Sequence, residues 1–545
     1  MKNILLITII AALVFGCKPT SKDEKTEEKT EIQKKVEEYA SFKLTTDMSV
    51  LTEKEKQMIP LLLEVAKIMD EIFWVEAFGD KSKLFTDDQD KYTKKFLEIN
   101  YGPWERLSNN EPFLEGYGPK PQGANFYPAD MTKAEFEAWE CPTKASLYTL
   151  VRRDESRNLK SIPYHIAFME QTKKAAGLIR EAAELAEDAG LRNYLLKRAE
   201  ALLTDEYYES DVAWMEMKNN TVEFIVGPIE NYEDQLFGYK TAHESFILIK
   251  DREWSKKLSK YTELLPGLQE NLPCPQAYKN ETPGIDSDIN VYDAIFYGGD
   301  CNAGSKTIAI NLPNDEKVRE TKGSRKLQLK NSMQAKFDKI LVPIADLLID
   351  AEQRKHVKFD AFFENTMFHE VSHGLGVGRT VDQTTTVREA LKDAYTSIEE
   401  SKADILGLWC IYHLNEIGEM GEKEMMDNFV TFMAGIFRSV RFGAASAHGK
   451  ANMMRFYYFR EQQAFERDEE TGTYSVNYEK MKDAMFSLSE MILRIQGDGN
   501  YKKAMQMIDE KGFIRDQLQK DLDRINEAGI PRDIVFEQGS EILGL

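Results

Sequence analysis

His369, Glu370 and His373 stand in the run FHEVSHGLG, residues 368 to 376, two imidazoles four positions apart with a carboxylate directly after the first. On a helix, residues at i and i+4 lie one turn apart on the same face, so both imidazoles can present a nitrogen to one ion at about 2 Å. Glu370 then sits beside the ion and not on it. From there it can take a proton from a water whose acidity the ion has raised, and later pass that proton to a leaving amine. The motif is short and recurs by chance in unrelated chains. Alone, it reads equally as an ordinary helix that carries two histidines.

Two neighbouring features extend it. The preceding residues, AFFENTMF, are apolar and helix-compatible, and Gly374, Gly376 and Gly378 follow closely enough to end the helix just past the site. Downstream, SIEESKADILGLW, residues 397 to 409, is a second helical stretch carrying Glu399, Glu400 and Asp404. A ligand from this second helix would complete three protein ligands and leave a fourth position for water, which is the catalytic and not the structural arrangement. Glu400 is assigned that place, with Glu399 and Asp404 as the acceptors that orient the histidines. The expected cofactor is one zinc ion. Read without the histidines, the same acids would be a solvated helix face.

The elements that must position these groups are mostly helical. Residues 52–79 and 166–203 show apolar residues at three- and four-residue intervals among strong helix formers. Residues 221–251 instead carry β-branched and aromatic runs around Gly227, Pro228 and Gly238, and predict strands. A loop-rich region from Pro266 to Lys322 continues that sheet or barrel. From Gln328 to about Gly497 the helical pattern persists, through the histidine motif; the tail from Lys502 predicts one more helix and then an extended GIPRDIVFEQG. No fixed-period repeat is present.

The 545 residues carry a formal net charge of -21, which would repel nucleic acid and anionic lipid unless a concentrated basic patch reversed it, and the sequence shows none. The first sixteen residues, MKNILLITIIAALVFG, have a basic start and an apolar run too short to span a bilayer comfortably, and predict an export signal. The run ends in Val14-Phe15-Gly16-Cys17, which resembles a bacterial lipobox whose cysteine receives lipid. A plain cleaved signal and an uncleaved anchor are the other readings. Lipid on Cys17 would hold the protein in the bacterial cell envelope, on a membrane surface, with no spanning helix. The charged stretch that follows, within residues 17–40, cannot offset the entropy of ordering and predicts a flexible tether. Cys141, Cys274, Cys301 and Cys410 form no close pair, leaving one disulfide or four thiols open.

Four further blocks, together with the histidine motif, resemble dipeptidyl peptidase III and its shorter zinc-hydrolase relatives. They are EFIVGPIENYEDQLFGYK (223–240), INLPNDEKVRETKGSRKLQLKN (310–331), EESKAD (399–404) and AHGKANMMRF (447–456), in family order across roughly residues 160–460. The resemblance implies an α+β, predominantly α protein of two lobes across a wide cleft: a helical zinc lobe (323–499) and a mixed lobe with a small β-barrel (41–322, joined by 500–545). It implies removal of dipeptides from the free amino end of short peptides. By position it makes His369, His373 and Glu400 zinc ligands, Glu370 the general base and His448 a donor to the developing oxyanion. Glu223, Asn311 and Asn314 would hold the substrate's terminal ammonium and nearby backbone.

A dipeptidase has to count two residues from a charged amine, and a carboxylate with amide groups at a fixed distance from the metal can do so. The chain departs from the family at two points. Its histidine motif has five residues, HExxH, where the family usually has six, and fits an undistorted helix. Ile225 occupies the place where family members often carry a transition-state-stabilising tyrosine; losing one such donor costs about 3 kcal/mol. Two other functions fit the same residues: a zinc hydrolase of a different peptide or amide, and a lipoprotein that binds peptides without cutting them. Glu370 disfavours the last, since a binder has no use for a base beside the metal.

Overall fold

The structure, a computed structural model, describes residues 29–281 and 287–545. The expected signal segment and Cys17 lie outside the described residues. The described residues bury apolar side chains in two large cores, which define two lobes.

The first lobe is built on a five-stranded mixed sheet. Its strands are β2 (Val222–Glu230), β3 (Ala242–Lys250), β4 (Ser287–Gly299), β5 (Ala309–Leu312) and β6 (Ser324–Leu329), in the order β2-β3-β4-β6-β5. The β4/β6 pair is parallel and the others are antiparallel. The expected barrel is thus a sheet with β2 and β5 at its ends; the amide of Asn314, just beyond β5, donates to the Ile229 carbonyl of β2 at 3.1 Å and spans the gap. All nine residues of β3 are buried: the strand is paired on both edges, by β2 and β4, and packs against a helix.

That helix, α1 (Glu53–Ala77), begins at a capping box in which Thr52 and Glu55 satisfy each other's backbone amides. Its apolar residues Ile59, Leu62, Leu63, Ala66 and Met69 recur at helical spacing and are fully buried. Contact with the sheet is close: a Cβ at Gly298 would lie 2.7 Å from the Ala66 carbonyl oxygen, so only glycine fits there. A second helix, α2 (Lys91–Asn100), packs nearby, capped by Asp90. The helix expected over 166–203 is two helices, Met169–Leu185 and Ala189–Thr204, because Asp188 accepts the Leu191 amide (2.8 Å) and starts a new N-terminus.

The second lobe is helical. Its core forms around α3 (Phe359–Ser372), α4 (Tyr395–Glu416), the Met425–Val440 helix, α5 (Ala447–Glu461) and α6 (Tyr478–Gly497). A short hairpin, Phe465–Arg467 with Tyr474–Val476, interrupts the helices and was not expected.

The lobe boundaries also differ from those expected at 322/323 and 499/500. Leu258, Leu265 and Leu268, within the expected mixed lobe, are buried in the helical lobe's core. So are Met507, Leu518, Leu522 and Ile525, from two tail helices (Tyr501–Lys511 and Asp516–Glu527) where one was expected. Only the end of the tail crosses back: β7 (Asp533–Glu537) pairs in parallel with β1 (Tyr39–Lys43). The expected tether is ordered in its last part, where Thr30 caps a Glu31–Glu37 helix and Lys35 pairs with the buried Glu105. Cys141, Cys274, Cys301 and Cys410 are all free thiols. Among the described residues, no helix is long and apolar enough to cross a membrane.

Candidate metal centre and cleft

Helix α3 carries His369 and Glu370 on its last turn and His373 at its C-cap, still in helical geometry (φ -59°, ψ -32°), so the i, i+4 relation holds. The chain stops there because Gly376 takes φ +93° and exchanges hydrogen bonds of 2.8 Å with the side chain of Gln269 in both directions. Helix α4 crosses α3 at Gly407, where a Cβ would meet the His369 backbone nitrogen at 2.9 Å. This close crossing brings Glu400 and Asp404, one turn apart on α4, up to the imidazoles.

The two Nε2 atoms of His369 and His373 are 3.2 Å apart. Glu400 Oε2 lies 3.4 Å from the first and 4.0 Å from the second. His448 Nε2, from α5, lies 3.1 Å from the same oxygen. The other nitrogens are spoken for: His369 Nδ1 is 2.7 Å from Asp404 and His373 Nδ1 is 3.0 Å from Glu399. With Nδ1–H given to those carboxylates, both Nε2 atoms aim lone pairs at one point, an arrangement that repels unless a cation sits there. Glu400 Oε2 is buried and aligned in a hydrogen bond with none of its neighbours. Donors on a tetrahedral zinc with bonds near 2.05 Å stand roughly 3.3 Å apart; two of the three separations match this, and the third, His373 to Glu400 at 4.0 Å, is longer.

A further layer holds the acids. Arg455, fully buried on α5, pairs with Asp404; Lys402 pairs with Glu399 at 2.8 Å and also donates to the carbonyls of His373 and Leu375. Gln496 of α6 donates to Glu399 at 2.8 Å. Burial opposes ionisation of these acids, but Arg455 and His369 hold Asp404 down to about 2, and Lys402 and His373 hold Glu399 down to about 2. Burial lowers the His369 pKa, yet Asp404, Glu400 and Glu370 together raise it, the same pull that a cation at Nε2 would answer in place of a proton. All of these effects describe one field that attracts positive charge. Arg455, Lys402 and Gln496 are absent from the sequence reading; Arg455 lies inside the AHGKANMMRF block and could have been noted there.

His448 is placed by the first turn of α5, where Ser446 accepts the Gly449 amide (3.0 Å), and it is 64% exposed to the cleft. Glycine at 449 is required by contact, since a Cβ would lie 2.6 Å from the Ala444 Cα. The cleft itself is a cavity of about 800 Å³, bordered by Glu370 and His448 from the helical lobe and by Asn311, Asn314, Glu230 and Glu244 from the sheet lobe. Lys326 of β6 joins the two sides, donating to the Glu370 carbonyl at 2.6 Å.

Glu223 is not part of this cleft. Its carboxylate is fully buried and accepts from Trp214 Nε1 (2.5 Å), Asn220 (3.0 Å), the Tyr292 hydroxyl (3.0 Å) and Arg325 (3.2 Å). No capacity is left for a substrate ammonium, which corrects the expected role. Ile225 is likewise buried in the sheet lobe's core. The sheet-lobe carboxylates that do face the cleft are Glu230, Glu233, Glu244 and Asp300, which the sequence reading missed. Glu244 is 3% exposed and pairs with no cation among the described residues; burial, Asp300 and Glu230 raise it well above the carboxylate range. Burial and Glu233 raise Asp300 to about 7, with Arg106 and Lys120 opposing. Glu233 takes up those two cations itself, at 2.7 and 2.6 Å.

Residues 164–390 match the sequence profile of Peptidase family M49. The chain is similar to a solved structure of DPP III from Caldithrix abyssi, with 39% identity and a TM-score of 0.89 over 93% of this chain and 98% of that one. It is similar to dipeptidyl-peptidase III from Corallococcus sp. strain EGB, with 37% identity and a TM-score of 0.76 over 93% of this chain and 96% of that one. A plant protein, Nudix hydrolase 3 of Arabidopsis thaliana, is 34% identical over 573 aligned positions, covering 92% of this chain and 73% of the plant protein. The plant protein's name describes that longer protein; the peptidase description comes from the profile and the two solved structures.

Proposed function

Because the chain belongs to peptidase family M49 and is a metallopeptidase of the dipeptidyl-peptidase type, we propose that it is a zinc-dependent exopeptidase releasing dipeptides from the free amino end of short peptides. The observation that supports this most directly is the convergence of His369 Nε2, His373 Nε2 and Glu400 Oε2 beside Glu370 and His448, which themselves line a peptide-sized cleft. Zinc bound by these three groups would supply Lewis acidity, polarising a carbonyl and making water acidic at neutral pH.

The chain's own residues supply the remaining chemistry. Glu370 faces the cleft beside the imidazole pair and takes the proton of the attacking water, then returns it to the amine that leaves. His448 presents Nε2 to the same space; Glu400 beside it raises its pKa, which keeps a proton available for the oxygen that gains negative charge. Glu399 and Asp404 fix the tautomers of the two ligand imidazoles.

Substrate length is set on the sheet lobe. The terminal ammonium is held by Glu244 and Glu230, with Asn311 and Asn314 beside them, because these groups face the cavity; burial raises both carboxyls, and an arriving ammonium supplies the counter-charge that favours their ionised form. On the sequence alone, lipid at Cys17 anchors the protein to the cell envelope.

Elemental analysis followed by hydrolysis of a dipeptidyl arylamide tests the reading. The expected result is one equivalent of zinc in the wild type and in Glu370→Gln, with cleavage by the wild type only. Zinc bound with no cleavage of any peptide in a panel would make the chain a peptide-binding protein instead. Cleavage confined to amides without a free amino end would overturn the exopeptidase assignment.

A further inference from the structure

The sheet lobe holds a second cavity, of about 720 Å³, on the other side of the segment 300–307 from the cleft. The two share that segment residue by residue: Asn302 and Lys306 face the second cavity, while Cys301, Ala303, Ser305 and Thr307 face the cleft. Helices α1 and α2 and the strand β7 from the C-terminal tail complete its walls.

Its chemistry is the reverse of the cleft's. In a chain of net charge -21, four ammonium groups line this cavity, those of Lys67, Lys81, Lys95 and Lys306, against the two carboxylates Asp70 and Glu98. Asp70 is already engaged, accepting from the Tyr101 hydroxyl and from the Gly299 amide at 3.0 Å. Glu98 stands 3.6 Å from Lys95, and Lys67 pairs outward with Glu64.

Lys306 is the unusual one. It is 4% exposed at the base of the cavity and bonds only to the backbone carbonyl of Asn302 among the described residues. Asp533, the carboxylate that acts on it most, is held by Lys336 at 3.2 Å and by Ser305 at 2.6 Å. A buried ammonium that makes no ion pair of its own is costly to keep. Burial lowers its pKa to about 8, with Asp533 opposing the shift.

The apolar part of the wall is aromatic. Trp74 and Tyr101 pack at 5.0 Å, Phe536 stacks on Tyr297 at 4.8 Å, and Lys81 stands 5.8 Å from the Trp74 ring. Ring faces beside fixed ammonium groups suit a planar ligand that carries an anion.

We propose that this cavity is a second binding site, for a small aromatic anion whose phosphate or carboxylate is held between Lys306 and Lys81 and whose ring lies against Trp74 and Phe536. It stands apart from the peptidase assignment, since none of these residues reaches the metal centre. Occupancy would act on Asn302 and Lys306, one residue of backbone away from groups that line the cleft.

Phenyl phosphate and benzoate, titrated into the full metal-loaded protein and followed by calorimetry and tryptophan fluorescence, test it. At least one of the two should saturate a single site, with a change in tryptophan emission. Lys306→Met and Lys81→Glu should each weaken that binding by about tenfold or more. Lys81 is on the exposed rim, so its variant reports even if the change at buried Lys306 disturbs folding. Saturation by phenyl phosphate alone would assign a phosphate, and by benzoate alone a carboxylate. Unchanged affinity in both variants, equal binding of inorganic phosphate, or no saturation by either probe would each overturn the proposal.

Discussion

Glu400 and Glu223 are both buried glutamates, one on a helix of the second lobe and one on a strand of the first, and they differ in what surrounds them. Four donors reach the Glu223 carboxylate, Arg325 among them, so its charge is spent inside the protein. Glu400 has one oxygen turned toward three imidazole nitrogens and aligned in a hydrogen bond with none. A saturated acid holds a fold together, whereas an acid left open among lone pairs marks a place for a cation. The same contrast runs within the sheet lobe, where Glu244 faces the cleft without a cation while Glu223 lies out of reach.

Breaking the two acids should therefore give opposite results. Glu370→Gln should reduce kcat by about a thousandfold or more while zinc content stays at the wild-type level. His373→Ala and Glu400→Gln should instead lose the metal, as read by elemental analysis after dialysis. Equal zinc loss from all three would remove the distinction between ligand and base. Glu223→Gln should leave the preference for free amino ends intact but lower stability by about 3 kcal/mol, because it removes the buried charge on which four donors converge. Chemical denaturation measures the second effect. A collapse of the amine preference in folded Glu223→Gln would return that residue to the substrate site.

Glu244 sharpens the comparison from the other side. Glu244→Gln should raise KM about tenfold or more for peptides with a free amino end and leave acetylated peptides, where these are cleaved at all, unaffected. Both classes shifting together would mean that Glu244 shapes the cleft and does not read the amine. Smaller effects are expected one layer behind the metal. Asp404→Asn and Glu399→Gln should weaken zinc affinity by about 10- to 100-fold without abolishing binding, because they loosen the imidazoles but do not remove a donor. Competition with a chromogenic chelator gives the number.

What was legible in the sequence was what is local. The histidine pair follows from one helical turn, and EESKAD supplied Glu399, Glu400 and Asp404 because their spacing lies on a single helix; the structure brings all of them to the imidazoles. The two-lobe, mainly helical architecture was equally visible in the periodicity and the family resemblance. What depended on partners far along the chain was not. Glu223 aligned with the family's amine-binding residue, but nothing in its own segment shows that Arg325 and Tyr292 come to meet it. Conversely, Glu244 in AHESFILIK looks like any strand residue until β3 pairs with β2 and β4, which sets it opposite Gly227 and Gly299, next to Asp300. The lobe boundary failed for the same reason, since the tail helices choose between two cores only in three dimensions.

Asp300 gives the smallest effect and the one most specific to the cleft's charge. Its carboxyl is raised to about 7 by burial and by Glu233, against the pull of Arg106 and Lys120, so it changes charge within the working range of most assays. As pH falls through about 7 the group gains a proton and stops attracting the substrate ammonium, and KM for free-amine peptides should rise by roughly threefold to tenfold. Above that pH the carboxylate is fully charged and KM should level off. The acids behind the imidazoles do not interfere, because Asp404 and Glu399 are held down to about 2 and stay ionised throughout. Asp300→Asn should carry the high KM at every pH and flatten the profile. If the variant keeps the wild-type inflection near 7, the titrating group lies elsewhere, and the cleft's attraction for the amine must come from Glu230 and Glu244 alone.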